Sequence, residues 1–221
     1  VYEWECPTIT IGRNELLDES IDLDVCKNLG IPVVRRSTGG QSVLHGFDMT
    51  YSFVGGLRDS SFSGSVLKNY QYIAKGFYRF FEKLGLKPRY YEKRTINKDL
   101  DSHVCFAKPS FYEILVENRK IIGNAQKVRK IKNSNSSNNR IFLQHGSIPI
   151  KDKVLLISRI FPQENVRNLR FKMHSLESLG VFPRSTKNKI KQLLYKSFSE
   201  VFGLEWEYKS WSNDELNLIK N

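Results

Sequence analysis

A chain of 221 residues with 40% hydrophobic and 12% aromatic side chains can bury one substantial core, which excludes wholesale disorder. Its net charge of +12 points to an acidic partner or to a solvated basic surface, and charge alone does not choose among nucleic acid, an anionic membrane surface and acidic protein. No apolar run is long enough to cross a bilayer and no signal peptide is visible; three widely spaced cysteines, Cys6, Cys26 and Cys105, argue against a disulfide framework or a zinc site and for a reducing cytoplasm.

Residues 1–5 (Val-Tyr-Glu-Trp-Glu) read as a strand already under way, so a preceding segment is expected. Alternation over Pro7-Thr8-Ile9-Thr10-Ile11 predicts a strand ending at Gly12, and Ile21, Val25 and Leu29 predict a helix over about 18–29, closed by Gly30. Next comes Arg35-Arg36-Ser37-Thr38-Gly39-Gly40-Gln41-Ser42-Val43-Leu44-His45, which runs from one apolar strand into another with Gly39-Gly40 at the bend. Paired guanidinium forks and exposed backbone N–H groups there can accept an anion or an acyl carbonyl; the plain alternative is a hairpin turn with nothing bound.

Met49 to Val54 continues as a strand. Val66, Tyr70, Ile73, Phe77, Phe80, Phe81 and Leu84 recur at three and four, predicting a long core-packed helix over about 65–84. A strand after Pro88 gives way to a polar loop as far as Ser102. Phe111 to Val116 and Arg119 to Gln126 read as the arms of a hairpin turning at Glu117-Asn118. Lys127 to Arg140 is basic, then rich in Asn and Ser, and reads as a loop; a strand follows over about 141–148. The remainder is mainly helical, with a clear helix over about 186–202. With no internal repeat, the expectation is a single domain over 1–221 whose part from 151 onward is mainly helical.

Among candidate reactive groups, Cys105 follows a polar loop and lies near Lys108, a cation that would favour its thiolate; the plain reading is a small buried side chain. Lys120 precedes Gly123-Asn124-Ala125, small residues that let a ligand approach a strand, and its ammonium could hold a carbonyl oxygen or phosphate. His145 is a polar residue in an apolar strand. Four scattered histidines give no metal signature, and no phosphate-loop fingerprint demands ATP.

Taken in order, Arg35-Arg36-x-Thr38-Gly39-Gly40, Val43-Leu44-His45, Thr50-Tyr51-Ser52, Cys105-Phe106, Pro109-Ser110-x-Tyr112-Glu113, Lys120-x-x-Gly123-x-Ala125-Gln126 and Leu143-Gln144-His145-Gly146-Ser147-Ile148 resemble the biotin/lipoate protein ligase catalytic family. The likeness runs from about Pro7 to Ile150, more weakly beyond, and is greatest to the octanoyltransferases of lipoate assembly and to lipoate-protein ligase A. Gln41, Gly46 and Asn124 depart from the usual pattern.

This resemblance implies an α+β fold with a mixed, largely antiparallel sheet flanked by helices. It implies that an octanoyl or lipoyl group ends as an amide on a lysine of an acidic lipoyl-domain protein, either the glycine-cleavage H protein or a dehydrogenase E2 subunit. In the transferase branch, acyl carrier protein or another lipoyl domain is the donor, Cys105 carries the acyl group and no cofactor is needed. In the ligase branch, free lipoate or octanoate is activated with ATP and Mg. Lys120 matches the lysine that contacts the acyl carbonyl or the adenylate phosphate. Substrate contacts are expected at Arg35, Arg36, Thr38, Gly39, Gly40 and His45, and at Gly123, Asn124, Ala125, His145 and Gly146, with no metal, nucleic acid or membrane involved. A basic nucleic-acid-binding protein is the reading from another class.

Overall fold

The computed structural model describes residues 1–17, 20–56, 62, 65–91, 113–130 and 140–220. In chain order the elements are β1 (Ile9–Ile11), α1 (Leu23–Asn28), β2 (Val33–Arg35), β3 (Val43–Leu44), β4 (Asp48–Gly56), α2 (Val66–Lys83), β5 (Pro88–Tyr90), β6 (Ile114–Val116), β7 (Arg119–Lys120), β8 (Gly123–Lys130), β9 (Arg140–Pro149), α3 (Val154–Ile160), α4 (Val166–Lys172), α5 (Lys187–Phe202) and α6 (Asn213–Lys220). This is the mixed α+β architecture the resemblance implies. Strand pairing is antiparallel except for β1–β2 among the named strands.

Three small sheets form, ordered β2-β1-β3, β4-β9-β8 and β5-β6-β7. In the first, β1 lies between β2 and β3, so the strands joined by Gly39-Gly40 pair with β1 and not with each other. The plain hairpin reading of that bend is therefore excluded. Ile9, Thr10 and Ile11 are all buried, as a central strand requires.

The chain before β1 makes an isolated bridge, Tyr2 to Thr50, in place of the expected strand over 1–5. Helix α1 is shorter than expected because Asp22 caps it, its carboxylate accepting from the Val25 N–H at 2.9 Å. The turn at Glu117-Asn118 forms as expected, both residues at positive φ (48° and 66°) as a two-residue hairpin demands. Its second arm, however, ends at Lys120. Ile121 and Ile122, fully buried, carry the chain from the third sheet into the second, where β8 continues through Lys127–Lys130, residues the sequence placed in a loop. Alternation persists there through Val128, packed on the core. Arg140, the loop's expected end, begins β9.

Two cores follow. One lies between the β4-β9-β8 sheet and the helices α2 and α5, built on Phe77, Phe80, Phe81, Phe142, Leu194 and Phe198. Gly76 lets α5 approach α2: a Cβ there would stand 2.7 Å from the Phe198 ring. The other joins the β2-β1-β3 sheet to α1, α3 and α4 through Ile9, Ile11, Cys26, Ile157 and Leu169. Among the described residues no helix is long and apolar enough to cross a membrane.

Candidate active site

A cavity of about 250 Å³ lies between the β2-β1-β3 and β4-β9-β8 sheets. Strand alternation decides its lining. On the β4-β9-β8 sheet, Thr50, Ser147 and Gly123 stand in one rank and Ser52, His145 and Ala125 in the next, all on the face turned away from α2. All of these except Ser52 line the cavity, with Asn124 and Gly146 at the edge. Opposite them are Thr10, Val34, Arg36, Val43 and His45, and Tyr2 and Trp4 close one side.

A hydrogen-bond chain runs through the opposite wall. Arg36 donates to the Thr10 carbonyl at 3.0 Å and to Oγ1 at 3.3 Å, and Thr10 Oγ1 stands 3.0 Å from His45 Nε2. His45 Nδ1 lies 2.8 Å from Asp48 Oδ2. An ionised carboxylate only accepts, so the network assigns the proton to Nδ1 and leaves Nε2 to accept from Thr10. Burial holds the His45 pKa below its ordinary value despite Asp48, which keeps the ring neutral. Trp4 stacks on it at 4.4 Å between centroids and donates to Thr50 Oγ1 at 2.9 Å.

Asp48 also accepts from the Gly46 N–H at 2.9 Å, from Thr50 at 3.2 Å and, through a short contact, from Ser147. Burial alone would raise its pKa, but the His45 hydrogen bond, the Lys153 cation and Ser147 hold it well below the usual carboxylate range. Lys153 is itself buried, donates to the Leu44 carbonyl and has its pKa lowered by burial against the attraction of Asp48.

His145 Nε2 stands 2.5 Å from Thr38 Oγ1, which ties the Gly-Gly bend to β9. Burial, then the nearby Arg36 charge and His45, push the His145 pKa down to about 4, so this ring is neutral at pH 7. The bend is held from within as well: Arg36 donates to the Gly39 and Gln41 carbonyls, each at 2.8 Å. Gly40, at φ 95°, brings its carbonyl against Gly12, where any Cβ would collide. Beneath the floor, Tyr51 donates to Asn124 Oδ1 and accepts from Gln144 Nε2 at 3.1 Å, while Gly146 leaves room for both Tyr51 and Asn124. Among the described residues, no group of three His, Cys, Asp or Glu side chains could hold a metal ion.

The family model for the lipoyl protein ligase A/B catalytic domain matches residues 1–199. The chain belongs to this family. It is 36% identical to octanoyltransferase LipM of Carboxydothermus hydrogenoformans over 99% of this chain and 80% of that protein, and 34% identical to octanoyltransferase LipM of Bacillus cereus over 98% and 78%. Its fold matches the crystal structure of lipoate-protein ligase A bound with ATP at a TM-score of 0.75 and 21% identity, covering 97% of this chain and 76% of that one. It also matches T. acidophilum protein Ta0514, solved with bound lipoic acid, at 0.73 and 20% over 97% and 76%. At that identity the likeness concerns the fold.

Seven of the residues that the lipoyl-ligase resemblance marks, Arg36, His45, Gly123, Asn124, Ala125, His145 and Gly146, line this one cavity. Thr38, Gly39 and Gly40 shape its edge through the contacts above. Arg35 does not reach it: its guanidinium donates outward to the carbonyls of Gly12 and Glu15, each at 2.7 Å, because adjacent strand residues point to opposite faces. Lys120 is not among the lining residues; it is buried, with its ammonium 2.7 Å from Glu113. Cys105 lies outside the described residues.

Sequence reasoning missed Trp4, Thr10 and Asp48. For Thr10 the signal was available, since the alternation that predicted β1 puts it opposite Ile9 and Ile11. Asp48, three residues after His45, is legible only once β3 and β4 are known to bend between them.

Proposed function

We propose that this protein transfers an octanoyl or lipoyl group to a lysine of an acidic lipoyl-domain protein, such as a glycine-cleavage H protein or a dehydrogenase E2 subunit, through a thioester on Cys105. The observation that carries this reading is the cavity itself: an apolar slot between two sheets, walled by two neutral imidazoles and small residues. Such a slot favours a hydrocarbon chain, each buried methylene contributing about 0.8 kcal/mol. Near full-length similarity to octanoyltransferases supports the same chemistry.

The Cys105 thiolate attacks the donor thioester, for which acyl carrier protein is the expected source. The new C–S bond forms as the donor thiolate leaves and takes up a proton. The acceptor lysine, as the free amine, then attacks the Cys105 acyl carbonyl; an amide forms, Cys105 leaves as thiolate and the excess proton of the amine passes to it. The residues lining the cavity hold the chain, and Lys120 is assigned to the acyl carbonyl through the resemblance. A free thiol of this kind fits a reducing cytoplasm.

Arg36 is the one permanent cation among the described lining residues, and its guanidinium is engaged by the Thr10, Gly39 and Gln41 carbonyls. Among the described lining residues a nucleoside triphosphate would meet no permanent cation besides Arg36, a setting that suits thioester chemistry. Incubation with octanoyl-acyl carrier protein is expected to give a hydroxylamine-sensitive adduct in the intact mass, and Cys105→Ala to abolish both adduct and transfer. Undiminished transfer by Cys105→Ala, or transfer only from free lipoate with ATP and Mg, would overturn the proposal.

A further inference from the structure

The rank pattern of the β4-β9-β8 sheet continues past the cavity. After Ser52, His145 and Ala125 come Val54, Leu143 and Lys127 on the same face, and then Gly56, Ile141 and Arg129. None of the residues in these two ranks lines the cavity. Val54 is 64% exposed and Ile141 37%, so an apolar strip emerges directly from the cavity floor.

One margin of the strip is basic. Lys127 and Arg129 project from β8 on this face, Lys130 ends that strand, and Arg13 belongs to the turn after β1. Lys127 and Arg129 are neighbours on one face of the strand, two residues apart, and desolvation acts with the like charges of Arg129 and Arg13 to lower the Lys127 pKa. Among the described residues no carboxylate forms an ion pair with any of the four. Clustered positive charge that no described carboxylate pairs, beside exposed aliphatic side chains, suits a folded partner with an acidic rim around an apolar contact.

We infer that this overhang, Val54, Leu143 and Ile141 flanked by Lys127, Arg129 and Arg13, is the docking surface for the acidic lipoyl-domain acceptor, whose target lysine reaches along the sheet into the cavity. The inference rests on the acyl-transfer reading and supplies its acceptor side. The floor leads the amine inward, and the cations orient the incoming domain before contact.

The test uses the whole chain with octanoyl-N-acetylcysteamine, an uncharged small donor, and an apo lipoyl domain as acceptor. The variant K127E/R129E is expected to form the acyl-enzyme at the wild-type rate, while the KM for the lipoyl domain rises about tenfold or more, kcat changes little and the salt dependence of transfer flattens. Val54→Ser with Ile141→Ser should raise the same KM without altering the salt dependence. Wild-type KM values in both variants would overturn the inference, as would a defect confined to acyl carrier protein as donor. If the wild-type chain forms no acyl-enzyme, the transfer reading fails by itself; direct titration of the lipoyl domain still decides the docking surface, which requires weaker binding by K127E/R129E.

Discussion

The two faces of the β4-β9-β8 sheet are made of different material. Toward α2 and α5 the strands present Tyr51, Phe53, Phe142 and Val128, with ring contacts such as Phe53 to Phe142 at 6.0 Å and Tyr51 to Phe77 at 4.5 Å. Polar groups on that face are linked in a chain from Gln126 to Gln144 to Tyr51, with the Gln126 side-chain oxygen left without a partner among the described residues. Toward the cavity the same strands present Thr50, Ser52, Ala125, Gly123, the partly buried His145 and the buried Ser147, small or polar side chains around space. Period-two alternation thus divides labour within single strands: one face supplies stability and the other leaves room for chemistry.

The sharpest way to break this division is to cut into the core face. Phe142→Ala, at a fully buried ring packed on Phe53 and Phe62, is expected to cost about 3–5 kcal/mol, read as a shift of the denaturant midpoint. A smaller effect comes from the cavity face, and it depends on pH. His145 has its folded pKa near 4 against 6.5 unfolded, so its contribution is full above about pH 6.5 and is lost as pH falls toward 4, because the unfolded chain binds the proton first. The loss is of order 3 kcal/mol in denaturation curves across that window, and His145→Gln should flatten it. Asp48, with its depressed folded pKa, adds a loss in the same direction below about pH 4, its unfolded range.

The least effect on stability is expected from Ala125→Leu, which fills space and displaces no packed neighbour, so the midpoint should move by about 1 kcal/mol or less. Its consequence should appear in substrate choice. Rates with acyl donors of decreasing length should fall about fourfold per methylene in the wild-type chain, whereas the variant should prefer shorter chains. A large loss of stability in this variant would mean that the cavity face is packed after all.

What could be read from the sequence followed local periodicity. The aromatic stripe of α2, the turn at Glu117-Asn118 and the small run Gly123-Asn124-Ala125 that lines the cavity were all visible, since each depends on neighbours three or four residues away or on a single turn. Non-local pairing was not visible: nothing within residues 33–44 shows that β1 will lie between β2 and β3, or that Ile121-Ile122 will change sheets. The site divides the same way. Arg35 and Arg36 are equivalent as letters, and only the register of β2 against β1 turns one outward to Gly12 and the other toward Thr10. Lys127 to Lys130 read as a loop because charged side chains mask the alternation that Val128 carries.

The hydrogen bond between Thr38 and His145 spans 107 residues. Closing a loop of that length carries an entropic cost that no local turn preference offsets, and both ends must be present before it can close. During synthesis the wall containing Thr10, Arg36 and His45 leaves the ribosome long before the floor made by β8 and β9. The Cys105 thiol is therefore translated ahead of the pocket proposed to serve it, and a nascent chain stopped short of His145 has the proposed nucleophile but not the cavity proposed to hold the acyl chain.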